Sequence, residues 1–164
     1  MKYDFIIVGS GIIGLTLAYK LKKKFNNSKI LILEKEKDSI QHGSGRNSGV
    51  IHSGIYYEPG SLRATLGVQG GRELKEYIKT KRLWMDECGK ILVPTSQNSY
   101  ENTEQLLARG IENGVIIKKL SGEQIANLEP NINNRYNIGL HVPFTSIADP
   151  KEVSRSLTED LIDL

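Results

Sequence analysis

At 164 residues, the chain is long enough for one domain with a real core. An apolar share of 38% with 25% charged residues excludes a disordered chain, and a net charge of +3 with scattered Lys and Arg excludes nucleic acid as the partner. A single cysteine, Cys88, excludes an internal disulfide and a cysteine metal cluster. It fits a reducing, cytoplasmic setting and is expected to be packed inside.

Residues 5-FIIVGSGIIGLTLAY-19 follow a lysine and are mostly apolar, as in the core of a signal peptide. Asp4, the regularly spaced glycines and the lysines that follow in place of an A-x-A cleavage pattern favour a folded strand and helix instead. The strand is 3-YDFIIV-8. From Gly11 to Phe25 the period becomes helical, with Gly11, Gly14, Ala18, Leu21 and Phe25 on one face. The basic run 20-KLKKK-24 sits where a helix C-terminus favours cations, so it reads as a solvated helix end. A second strand, 29-KILILE-34, completes a β-α-β unit whose strands are expected to be parallel.

Glycine-rich sequence runs to about residue 60. A mostly helical stretch from Ser61 to Cys88 follows, weakened at Gly67 and Gly70-Gly71. The spacing then predicts a strand at 90–94, a helix from Asn98 to Asn113 stopped by Gly114, and a strand at 115–120. Ser121 with Gln124 forms a capping box for a short helix to Leu128. A strand at 138–142 and a last helix, capped by Asp149 and opened by Pro150, end the chain.

The run 9-GSGIIG-14 matches G-x-G-x-x-G between a strand and a helix, the context in which that pattern binds a dinucleotide. Gly9 suits the tight turn, Gly11 the approach of a pyrophosphate and Gly14 close helix–strand packing. The helix N-terminus offers free N–H groups. Glu34 stands 20 residues after Gly14, where a carboxylate accepts from ribose hydroxyls and repels a 2′-phosphate. This loop does not separate FAD from NAD. For 43-GSGRNSGVIHSGIYYEPGSLR-63 two readings stay open, a structural crossover and a second cofactor contact. In the second, N–H groups from Ser44 to Gly49 form an anion-binding nest and Arg46 adds charge.

The run 42-HGSGRNSGVIHSGIYYEPGSLRA-64 closely resembles the N-terminal signature of L-2-hydroxyglutarate oxidases/dehydrogenases, FAD enzymes of the D-amino-acid oxidase type. The stretches 88-CGKILVPTS-96, 108-ARGIENGV-115, 128-LEPNI-132 and 140-LHVPFTSIADPKEV-153 resemble later parts of the same family. The resemblance implies an α/β fold: an FAD-binding, Rossmann-like β-α-β unit plus the beginning of an α+β substrate domain, incomplete. Residues 1–87 would be the N-terminal part of the FAD-binding domain, 88–147 the start of the substrate domain, and 148–164 a helix returning to the first.

By position, Gly9, Ser10, Gly11 and Gly14 would hold the FAD pyrophosphate and Glu34 the adenosine ribose. Ser44, Arg46, Asn47 and Ser48 would line the flavin side. His52 would lie near the isoalloxazine and act as the base, with a structural histidine bonded to backbone as the alternative. Arg63, Tyr56 and Tyr57 are candidates for holding a dicarboxylate, whereas His42 and His141 are weaker candidates for chemistry. The implied reaction oxidises a small 2-hydroxy acid, L-2-hydroxyglutarate, to 2-oxoglutarate. Oxygen or a quinone would be the acceptor, and quinone use would bring peripheral membrane contact to an otherwise cytoplasmic protein.

Only the N-terminal part of the family's chain is matched, and two parallel strands with open edges are normally buried in a larger sheet. A fragment that binds FAD weakly by itself, and aggregates, is therefore expected. Related flavoenzymes acting on an amino acid or glycerol 3-phosphate, and a noncatalytic nucleotide-binding remnant, are the other readings.

Overall fold

A computed structural model describes residues 2–163. β1 (Phe5–Val8) and β2 (Ile30–Leu33) are short β-branched and leucine-rich runs joined by α1 (Ile12–Lys24). They pair in parallel, with Phe5 opposite Ile30 and Val8 opposite Leu33. The expected α/β start is therefore present. Leu15 and Ala18 are buried on the apolar face of α1. Phe25, just past its end, stacks on Phe5 with ring centroids 5.7 Å apart. Lys22, Lys23 and Lys24 fill the last turn, where the helix dipole favours cations.

The remaining elements follow in chain order. They are β3 (Val50–Ile51), α2 (Leu62–Lys81), β4 (Met85–Asp86), β5 (Ile91–Leu92), α3 (Gln97–Glu101), α4 (Thr103–Glu112), β6 (Lys118–Ser121), α5 (Gly122–Leu128), β7 (Ile138–His141), β8 (Ser146–Ala148) and α6 (Pro150–Asp163). The chain divides into two units. One gathers the residues up to Gly49 with Ile78–Trp84 and those from Ala148 onward; the other comprises Val50–Tyr77 and Met85–Ile147.

In the first unit α6 lies along α1, and Leu15, Ala18, Ile78, Val153 and Leu157 are buried. Asp149 caps α6 by accepting from the Lys151 N–H at 2.8 Å. Ile6 and Val8 on β1, with Ile13 and Leu17 on α1, are exposed. The two-stranded sheet has no third strand among the described residues.

In the second unit β7 is the centre of an antiparallel sheet ordered β5-β7-β6, and β8 is the centre of one ordered β3-β8-β4. Ile55, Val115, Leu140 and Val142 form its core, with Val68, Leu92, Leu106, Leu107 and Ile117 packed around them. Lys75 of α2 is buried in this unit with 4% of its surface exposed. Its ammonium lies 3.6 Å from the centroid of the Phe144 ring, donates to the Phe144 carbonyl and is 3.5 Å from the Glu87 carboxylate.

Several elements depart from the sequence expectations. α2 ends at Lys81 rather than near Cys88. Leu83 N–H reaches the Ile78 carbonyl and Arg82 N–H the Lys79 carbonyl, a Schellman stop with Arg82 in the left-handed position at φ 56°. No glycine marks that stop, so the periodicity runs past it. The helix expected from Asn98 to Asn113 is two helices, divided at Asn102, whose side chain donates to the Asn98 carbonyl. Gly114 does stop α4, at φ 71°, and the same turn delays the next strand to Lys118. The Ser121–Gln124 capping box forms as expected.

Gly67 and Gly71 do not break α2; they let other groups come close. A Cβ on Gly67 would lie 2.9 Å from the Tyr57 ring, and one on Gly71 would lie 3.2 Å from the His52 carbonyl oxygen. Cys88 is exposed rather than packed. It precedes Gly89, in a turn that needs φ 72°, between two strands of only two residues each.

Candidate functional site

The loop from Gly9 to Gly14 turns the chain from β1 into α1. Gly9 has φ 99°, which favours glycine, and a Cβ there would meet nothing within 4 Å, so its surroundings are open. A Cβ on Gly14 would lie 2.0 Å from the Gly9 carbonyl oxygen, so the helix closes on the strand only because the side chain is absent. The cap of α1 is Gly11, which offers no side-chain acceptor, and the first turn holds no acidic residue. A first turn without an acidic side chain leaves the dipole of α1 uncompensated from within the helix, which suits a pyrophosphate.

Glu34 is half-buried just past the end of β2. Its Oε2 accepts from both the N–H and the hydroxyl of Ser10, each at 2.7 Å. Its Oε1 accepts from the N–H groups of Lys35 and Glu36. The Ser10 N–H bond, then that of Glu36, lower its pKa from 4.5 to about 2. Ser10 is thus turned toward Glu34, and the carboxylate spans the chain ends of β1 and β2 as a fixed anion. Because its pKa is depressed in the folded state, its stabilising contribution is complete above pH 4.5 and is lost as the pH falls toward 2. Glu34→Gln is expected to remove that part of the acid-side slope in a pH series of urea unfolding curves. A carboxyl NMR titration placing Glu34 near 4.5 would show that the Ser10 bonds do not form.

The expected flavin-side residues have distinct roles. Ser44 accepts from the Ile12 N–H at 3.1 Å and so caps α1 from a separate loop. The Asn47 side chain donates to the Gly43 and Ser44 carbonyls and accepts from the Gly49 N–H, which ties the loop to itself. Ser48 is exposed. Arg46 is exposed at a cleft of about 570 Å³, also lined by Lys151 and Arg155 of α6. His42 pairs with Glu36 at 2.8 Å, and that bond is the first cause lowering the Glu36 pKa.

In the second unit His52 is exposed, and its ring makes no hydrogen bond among the described residues. It lines a pocket of about 120 Å³ together with Tyr56, Tyr57, Lys90 and Thr145. Lys90 donates to the Tyr56 hydroxyl at 3.0 Å and lies 4.7 Å from the centre of that ring. Thr145 is 3% exposed, and its hydroxyl oxygen is buried without a hydrogen-bond partner. Arg63 is exposed and does not line this pocket. The strand residue His141 is half-buried, with its Nε2 2.8 Å from where a Gly89 Cβ would sit. Lys90 and Thr145 were not singled out from sequence. Tyr56, the partner of Lys90, lies 34 residues away in sequence, and no local pattern marks the approach of either residue to this pocket.

A sequence model of the DAO family, described as FAD dependent oxidoreductase, matches residues 4–164. The chain belongs to that family. FAD is the cofactor of this family, and the Gly9–Gly14 loop, the head of α1 and the ionised Glu34 fit its adenosine diphosphate half. Among curated proteins, this family member is similar to the mitochondrial L-2-hydroxyglutarate dehydrogenase of Dictyostelium discoideum. The identity is 45%, over 98% of this chain and 36% of that protein. It is 40% identical to the human mitochondrial L-2-hydroxyglutarate dehydrogenase, over 96% of this chain and 34% of that protein. For the enzyme of Escherichia coli K12 the figure is 37%, over 96% and 37% respectively. The chain therefore spans about a third of the length of these relatives.

Among solved structures, the L-alpha-glycerophosphate oxidase of Mycoplasma pneumoniae with FAD bound superposes with a TM-score of 0.87 at 32% identity. The match covers 99% of this chain and 43% of that one. The L-proline dehydrogenase of P. horikoshii shares the fold, with a TM-score of 0.82 at 19% identity, over 99% and 42% of the two chains. Among the described residues no helix is long and apolar enough to cross a membrane.

Proposed function

We propose that this chain is part of an FAD-dependent oxidoreductase that converts L-2-hydroxyglutarate to 2-oxoglutarate. What carries the reading is identity of 37–45% to L-2-hydroxyglutarate dehydrogenases over nearly all of this chain. In the proposal Gly9, Ser10, Gly11 and Gly14 hold the pyrophosphate and Glu34 the ribose, while Ser44, Arg46, Asn47 and Ser48 line the flavin side. FAD, when bound, supplies the acceptor for the C2 hydrogen and its electron pair. His52 takes the proton of the C2 hydroxyl, a step suited to an imidazole near neutral pH.

Residues 1–87 then begin the FAD-binding domain, 88–147 begin the substrate domain, and 148–164 return to the first. The packing of α6 along α1 supports that return. The final acceptor is oxygen or a quinone, and a quinone places a cytoplasmic protein at the surface of the inner membrane.

A second reading, glycerol 3-phosphate as substrate, is favoured by the 32% identity and close superposition with the glycerophosphate oxidase. Dye-linked turnover by FAD-supplemented protein carrying this chain separates the two. Reduction of the dye with L-2-hydroxyglutarate, and not with glycerol 3-phosphate or amino acids, is the expected result. Turnover of glycerol 3-phosphate in its place would replace the first reading with the second.

A further inference from the structure

Glu34 is a carboxylate with no acceptor position to spare. Four donors meet on it: the Ser10 N–H and hydroxyl on Oε2, and the Lys35 and Glu36 N–H groups on Oε1. An ionised carboxylate offers about four lone-pair positions, so the chain fills them all. Yet Glu34 stands just past β2, beside the Gly9–Gly14 loop, where a ribose hydroxyl looks for an acceptor. Glu34 is half-buried, and with Ser10 it lines a cleft of about 530 Å³ in the first unit. Three of its four donors are backbone N–H groups, which the chain holds in place. The fourth is the Ser10 hydroxyl, which moves by a turn about one single bond between staggered rotamers.

We propose that the Ser10 hydroxyl is a stand-in for a ribose hydroxyl: it holds an acceptor position of Glu34 in the nucleotide-free protein and swings aside when a nucleotide binds. The inference rests on the reading of Glu34 as the ribose ligand. The arriving ribose O–H donates to Oε2 as the serine O–H did, so Glu34 stays ionised and keeps its four donors. The three N–H groups go on fixing the carboxylate throughout. Removing the Ser10 hydroxyl then has two opposite effects. The nucleotide-free protein loses a charge-assisted hydrogen bond and becomes less stable. The nucleotide-bound protein loses nothing at Glu34, so its affinity for an intact ribose rises.

The test is equilibrium binding of ADP, 2′-deoxy-ADP and 3′-deoxy-ADP to FAD-free, monodisperse protein carrying this chain, with the nucleotide-free Tm of each variant recorded. Ser10→Ala is expected to lower the Tm and to tighten ADP binding by about threefold or more. It should widen the preference for ADP over one of the two deoxy analogues by the same factor. Ser10→Gly, which leaves no methyl group in place of the hydroxyl, is expected to act in the same sense. A purely structural serine would lower the Tm and leave affinity and preference unchanged or reduced, and that result overturns the proposal. In a carboxyl NMR titration Ser10→Ala should move Glu34 up from about 2 toward 4.5. An unmoved titration also overturns the proposal, because the hydroxyl is then not on the carboxylate. If ADP does not bind, or binds Glu34→Gln undiminished, the reading of Glu34 as ribose ligand falls and the stand-in with it. If ADP binding needs Glu34 but is not tightened by the loss of the Ser10 hydroxyl, the ribose reading stands and the stand-in alone falls.

Discussion

Gly14→Ala is expected to cost about 3 kcal/mol or more of unfolding free energy, against a typical total of about 5–15 kcal/mol. The added Cβ would fall 2.0 Å from the Gly9 carbonyl oxygen and 3.1 Å from the carbon of that group. The obstacle is backbone, so no rotamer change relieves it. α1 would have to lift from β1, and the loop with its open N–H groups would change shape. Gly70→Ala is the internal control. Gly70 lies in α2, and a Cβ there meets nothing within 4 Å. That change is expected to add up to about 1 kcal/mol through the better helix propensity of alanine. Urea unfolding of the two variants beside the unaltered chain checks both signs at once. If Gly14→Ala unfolds at the same urea concentration as the parent, the close helix–strand contact is absent in solution.

Lys75→Ala is expected to be nearly as damaging, at about 2–4 kcal/mol, although lysine is the residue type least often found inside. The four-carbon stem is buried, so its loss leaves a cavity. The Phe144 carbonyl loses the lysine donor and keeps only the Ser146 hydroxyl at 3.4 Å, and the face of the Phe144 ring loses its cation. The ion pair with Glu87 contributes less, since that carboxylate is 49% exposed and screened by water. Two consequences distinguish packing from charge. Lys75→Met refills the space and should recover about half the loss. Added salt should change the stability of the parent little. A large salt dependence in urea unfolding would show that the Glu87 pair dominates.

Much of the first unit was legible because its signals are local. The spacing of Gly9, Gly11 and Gly14, the apolar strands beside them and Glu34 all lie within one β-α-β unit, whose parallel pairing the structure shows. The capping box at Ser121 and the stop at Gly114 were legible for the same reason, each being a few residues of backbone chemistry. The sequence misled where a residue did unexpected work. Arg82 ends α2 in a conformation usually given to glycine, and Asn102 divides a helix whose periodicity runs on through it. The strands β3, β4 and β8 have two or three residues each, too short for an alternation to show. The pocket at His52 was illegible for another reason. Lys90 and Thr145 reach it through tertiary packing, and neither carries a neighbour in sequence that hints at the other.

The bond from the Ile12 N–H to Ser44 has a thermodynamic consequence. The chain already satisfies part of the head of α1 with its own hydroxyl, on a loop that Asn47 stitches shut. Any anion competing for that N–H is therefore exchanged against an internal acceptor rather than added to a bare one. The enthalpy gained at that contact is then the difference between two hydrogen bonds, and the loop exacts the same toll from every competitor, large or small. Selectivity at the mouth of α1 must come from what else the incoming molecule touches.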